Sequence, residues 1–159
     1  MFGSFKSQPV IDPQFGELVR SRGCWRGTMD LGSITGVPLA LAGSRTAPDA
    51  GALAAARDLS ACFQDWRPEI EVALFGHYEP YAEALAAGEL PEPGMLLPAL
   101  SHPADVWPHV SLVFVSVQPL GSVLCVELGY TTVWDGEHTL GVRFQRGKLL
   151  ELCGSALPP

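Results

Sequence analysis

"APDAGALAAARDLSACFQDWRPEIEVALFGHYEPYAEALAAGE", Ala47 to Glu89, is the stretch whose reading decides the fold. Pro48 suits a first helical turn, where its missing N–H costs nothing, and Asp49 beside it complements the positive end of the helix dipole. Leu53, Ala56, Leu59 and Phe63 then recur at helical spacing, which predicts a helix from about Pro48 to Cys62. A second helix is expected from Pro68 onward, with Ile70, Leu74, His77, Tyr78, Tyr81 and Leu85 on one side. Pro80 removes a backbone bond inside it, so a kink between Gly76 and Pro80, or a break into two pieces, is expected. Gly88 is placed to end it. On this parsing Trp66 falls in the short connection between helices.

Upstream, two runs, Glu17 to Arg20 and Cys24 to Leu31, flank Ser21-Arg22-Gly23, whose glycine suits the positive φ of a hairpin turn. A third, "GVPLALAG" from Gly36 to Gly43, follows a turn at Gly32-Ser33-Ile34-Thr35, and Pro38 pushes it toward a sheet edge or a bulge. Met1 to Pro13 carry little pattern and read as a tail that partly docks through Phe2 and Phe5. Downstream, "LPEPGMLLPALSHPADVWPH" is too rich in proline for a long helix or a central strand. Met95, Leu96, Leu97, Leu100 and Trp107 give it apolar anchors, so an ordered crossing loop is expected. "VSLVFVSV" then reads as a strand covered on both faces. "SVLCVELGYTTVW" returns with Leu124, Val126, Leu128, Tyr130, Thr132 and Trp134 on a core face and Glu127, Gly129, Thr131 and Asp135 on a wetter one. "LGVRF" and "LLELC", joined by Gln145-Arg146-Gly147-Lys148, complete the set. Strands, then helices, then strands give an α+β fold. A mostly antiparallel sheet is expected, with two or three helices, one kinked, inserted between an N-terminal meander and C-terminal strands and packed on one face. Residues 1–13 form the tail and 14–157 the single domain.

The chain has 159 residues, 47% of them hydrophobic, enough for a buried core. A formal charge of -7 argues against nucleic-acid binding, which needs clustered Lys and Arg. The acids concentrate between Thr46 and Asp105, where only Arg57 and Arg67 oppose them. Such a block reads either as a solvated helical face or as a docking surface for a basic partner. Glu69, Glu79 and Glu83, with Trp66 and Trp107 as aromatic anchors, are the candidate partner-binding residues. Cys24, Cys62, Cys125 and Cys153 form no CxxC pair and read as reduced thiols. No secretory signal and no membrane-length apolar run is visible, so a cytoplasmic location is expected.

Reactive groups are densest in "YTTVWDGEHTLGVRF", Tyr130 to Phe144. Asp135, Glu137 and His138 have the chemistry of metal ligands or of an acid/base group. Three residues so close need a fourth donor from elsewhere, with His102 or His109 as candidates, so the metal candidates are His102, His109 and His138. The structural reading needs less. Asp135-Gly136 makes a turn, Glu137 and His138 bond the loop backbone, and Trp134 closes the core. His77, on the apolar side of a helix, reads as a hydrogen-bonded core group. No H-E-x-x-H, G-x-S-x-G, Walker or G-x-G-x-x-G pattern is present, and no cofactor is expected.

The run "YTTVWDGEHTLGVRFQRGKLLELCGS", with the upstream "FGEL" and "CWRG", resembles an uncharacterised family of small bacterial proteins marked by a W-D-x-E-H-x-L-G-x-R-F segment. The resemblance covers Phe15 to Ser155 and implies, for some members, a place beside polymorphic toxin systems as immunity proteins. It transfers no activity to Asp135, Glu137 or His138. Two functions are carried forward. The first is a non-enzymatic bacterial protein that binds a basic protein partner through its acidic helical region. The second is a metal-dependent or acid/base hydrolase centred on Asp135, Glu137 and His138. A third, a small-ligand module using the space between sheet and proline-rich loop, stands beside them.

Overall fold

Short turns in the first forty residues force the chain back on itself three times. In the computed structural model, which describes residues 6–95 and 97–159, β1 (Val10–Asp12), β2 (Gly16–Ser21), β3 (Cys24–Leu31) and β4 (Ile34–Leu41) form an antiparallel meander. The expected docking of Phe2 and Phe5, and the anchor Leu96, lie outside the described residues. β1 falls within the stretch expected to be a tail. Asp12 fixes its turn by accepting the N–H groups of Gln14 and Phe15, and its other oxygen pairs with Arg57 of the helix that follows. Gly23 and Gly32 take the positive φ values, 81° and 60°, that the two hairpins require.

The middle of the chain differs from expectation. One α-helix, α1 (Ala50–Ala86), runs unbroken for 37 residues through both Pro68 and Pro80, and Trp66 lies inside it rather than in a connection. The reason is where the prolines sit. Both are exposed, so the carbonyls they leave without an N–H partner, those of Gln64 and Gly76, lie on the solvent half of the helix, where water can serve them. The inner face, Ala52, Ala56, Leu59, Phe63, Ile70, Leu74 and Tyr78, is continuous across both positions and buried. Burial of that stripe outweighs two lost backbone bonds.

The ends agree with their signals. Asp49 caps the start through Ala52 N–H at 2.8 Å. Gly88, at φ 90°, closes the end, donating to Leu85 O while Glu89 N–H reaches Ala84 O.

A proline-rich crossing with a short 3-10 helix (Pro103–His109) then leads into β5 (Val110–Leu120), β6 (Val123–Thr132), β7 (Leu140–Gln145) and β8 (Lys148–Cys153). These four are antiparallel, and the whole is an eight-stranded sheet in sequence order. Its single parallel pairing is β4 with β5. β4 is therefore an interior strand, not an edge. Pro38 is accommodated because the parallel register joins only residues 39–41 to 115–117, just beyond it.

The core lies between α1 and one sheet face, where Trp25, Leu39, Leu41, Val117, Leu128 and Phe144 are buried. On the other face Arg143 sits between Glu127 and Glu151. There the Phe114 ring also covers Gly129, where a Cβ would come within 2.2 Å of it.

Candidate functional site

The connection from β6 to β7, residues 133–139, is built around one carboxylate. Asp135 is 5% exposed. Its Oδ1 accepts the backbone N–H of Glu137 at 3.1 Å and of His138 at 3.2 Å, and both its oxygens lie 3.1 Å from His138 Nδ1. Behind it, Asp135 N–H donates to Thr132 Oγ1 at 3.1 Å. Aspartate favours such turns because its short side chain reaches the N–H groups two and three residues on. Burial alone would raise the Asp135 carboxyl, but the two N–H groups and the His138 ring outweigh it and hold the group below the usual carboxylate range.

Helix α1 supplies the opposite wall. Trp134 Nε1–H, which can only donate, gives its proton to His77 Nδ1 at 3.1 Å. In the neutral ring the proton must then be on Nε2, which faces Asp135 Oδ2 at 3.9 Å. Burial lowers the His77 pKa, the Asp135 charge opposes that shift and His138 adds to it. One turn further along, the Tyr81 ring centroid lies 5.6 Å from that of His77. Burial, then the nearby Asp135 charge, pushes the Tyr81 phenol up. Trp134 itself is fully buried with Tyr78 edge-on at 5.4 Å. The Tyr78 hydroxyl donates to Pro98 O at 2.6 Å and accepts Leu100 N–H at 3.2 Å. Helix, turn and proline-rich crossing are thus tied at one corner.

Of the two candidate fourth donors, His102 is exposed and faces its neighbour Asp105 at 3.7 Å, and His109 meets the corner only through its carbonyl, which accepts Val133 N–H. The imidazole that faces Asp135 from outside the turn is His77, at 3.9 Å. Glu137 is exposed and contributes its N–H rather than its carboxylate. Among the described residues no three His, Cys, Asp or Glu side chains are placed to share a metal ion. His77 and Tyr81 are the members that sequence reasoning missed. A histidine in a helix's apolar stripe signals that it has a partner, but not that the partner is a tryptophan 57 positions away. Chemically, a buried carboxylate between two imidazoles orients both. It leaves the His138 side chain 46% exposed.

The partner-binding candidates lie elsewhere, on α1 except for Trp107, which is in the 3-10 helix. Helical spacing places Asp58, Asp65, Glu69, Val72, Gly76 and Glu83 along one outer line with Glu79 beside it, opposite the buried stripe. All are exposed, Val72 at 61%. None of the five acids joins an ion pair among the described residues. Trp66 stacks on Phe144 with centroids 4.3 Å apart. On the opposite flank Trp107 donates its Nε1–H to Glu71, and the Arg67 guanidinium lies 4.6 Å above its ring.

No curated protein and no solved structure matches the chain. Residues 14–156 match the family described as a domain of unknown function, DUF6985. That match spans nearly the whole described sheet and the helix on it, including the Asp135 corner and the acidic ridge, and the chain therefore belongs to the DUF6985 family.

Proposed function

We propose that this protein is a non-enzymatic binding protein of the bacterial cytosol, in an immunity or accessory role, which receives a basic protein partner on the outer face of α1. The observation that carries this reading is the ridge of exposed carboxylates at Asp58, Asp65, Glu69, Glu79 and Glu83. Asp65 with Glu69, and Glu79 with Glu83, are like charges four residues apart, each pair costing the helix about 0.2–0.5 kcal/mol. A cationic surface laid along the ridge relieves that repulsion and adds steering over a distance set by ionic strength. Val72 supplies an apolar contact at its centre, and Trp66 and Trp107, each half-buried, stand on its two flanks.

The test compares wild type with Asp65→Lys/Glu69→Lys/Glu83→Lys as bait in host extract at low and moderate salt, followed by reconstitution with the purified partner. A basic protein retained by wild type, weakened by salt and lost on charge reversal at an unchanged melting temperature supports the reading. Equal retention by both baits, or none by either, removes it.

A second reading is an acid/base hydrolase at Asp135 and His138, with Glu137 at the rim. It is favoured by the His138 Nδ1 contact with a buried carboxylate, the arrangement that orients an imidazole as a general base. Hydrolysis of an ester, amide or phosphodiester panel that vanishes in a folded His138→Ala variant would establish it. Identical rates in the two proteins would dismiss it.

A further inference from the structure

β4 and β5 part company before they finish. Their parallel register joins residues 39–41 to 115–117, leaving residues 34–38 and 110–114 outside it. Pro38, with no N–H to offer a neighbour, stands at the fork. On the helix side of this gap is a cavity of about 400 Å³, within the size range of small-molecule sites. Ile34 and Leu112 line it from the two strands, Phe63 and Arg67 from α1, and Trp107 from the proline-rich crossing.

Two polar side chains in the lining of this cavity, Tyr130 and Arg67, have donors to spare. Tyr130 lines it, is 1% exposed, and has a hydroxyl with no hydrogen bond within the protein. Buried polar groups are satisfied in nearly all native structures, so a phenol in this position calls for a partner from outside the chain. Arg67 is the other. Of the two bases in the acidic middle of the chain, Arg57 is taken by Asp12, whereas Arg67 has no carboxylate at ion-pair distance among the described residues. Its guanidinium carbon lies 4.6 Å from the Trp107 ring centroid, and Nη1–H donates to Gln64 Oε1 at 3.3 Å, which leaves Nε and Nη2 without a hydrogen-bond partner among the described residues. Both side chains line the same cavity, and the Arg67 charge opposes the upward push of burial on the Tyr130 phenol.

We propose that this cavity binds a small organic carboxylate with an apolar body about the size of one ring. The carboxylate lies on the Arg67 fork and takes the Tyr130 hydroxyl proton, and the body fills the space between Trp107, Phe63 and Leu112. One guanidinium balances one carboxylate. A phosphate carries more charge and more acceptors than this donor set answers, and a neutral molecule leaves Arg67 unused. The site lies on the sheet side of α1, away from the acidic ridge, and does not depend on it.

The test is titration of the full-length protein with phenylacetate and hexanoate, with phenylacetamide and inorganic phosphate as comparisons. The readout is the Trp107 indole N–H resonance, assigned with Trp107→Phe. Both carboxylates should shift it saturably, and the amide and phosphate should not. Arg67→Gln should weaken binding at least about tenfold. Tyr130→Phe should weaken it about three- to tenfold, with a melting temperature equal to or above that of wild type, because an unmet hydroxyl has been removed. The proposal fails if neither carboxylate moves the resonance, if amide or phosphate binds as well, or if both variants keep wild-type affinity. It fails too if Tyr130→Phe melts lower and binds carboxylate unchanged, since an internal water then already serves the hydroxyl.

Discussion

Asp135 is where one side chain does most for the fold. It satisfies two backbone N–H groups and an imidazole while itself shielded from solvent. Asp135→Ala strands those donors, and the expected loss is about 2–4 kcal/mol in urea unfolding; Trp134→Phe, which removes the indole donor to His77 and leaves a cavity where the fully buried indole was wider, is expected to cost about as much. The same corner sets an acid limit. His77 has a folded pKa below its ordinary value of about 6.5, so the unfolded chain takes up its proton first. Its contribution is therefore complete above about pH 6.5 and declines as pH falls through the depressed folded value. Asp135 and Asp12, also lowered, contribute above about pH 3.9 and lose that as pH falls further. Unfolding free energy measured against pH should show two successive declines on acidification, and His77→Gln, which keeps an acceptor for Trp134, should flatten the first. That Asp135-Gly136 turns the chain and Trp134 sits beneath it could be read from residue types alone. That His77 completes the corner could not, because the pairing is created by how the helix docks.

At the level of elements, α1 shows what local rules can and cannot say. Its caps were legible, since Asp49 and Gly88 act through neighbours within a few residues. Its continuity was not, because a proline's cost depends on whether the carbonyl it orphans meets water or core, and that depends on tertiary placement. Both prolines should therefore be a cost rather than a device. Pro68→Ala and Pro80→Ala are each expected to raise unfolding free energy by about 1–3 kcal/mol. A fall in either variant would show that the helix needs its proline. The strands were largely legible from alternation and turn glycines. Pro38 misled as to the edge for a related reason: a strand can be interior along three residues and free along the rest.

For the molecule as a whole, charge was the most readable property and the least specific. The excess of acids between Thr46 and Asp105 could be counted. That Glu71 is consumed by Trp107 while Glu69, Glu79 and Glu83 face outward depends on the side of α1 each occupies. Of the cavity under Arg67, a space between sheet and proline-rich crossing was the only part open to sequence reading; its lining had no signature, because its walls come from two strands, a helix and a crossing that only the assembled fold juxtaposes. The single parallel pairing carries a kinetic corollary. Each four-stranded half zips between sequence neighbours, whereas the clasp between them has three rungs and waits on residues 42–109 to loop back. The halves therefore nucleate separately, and the pace of maturation is set by their docking across that clasp.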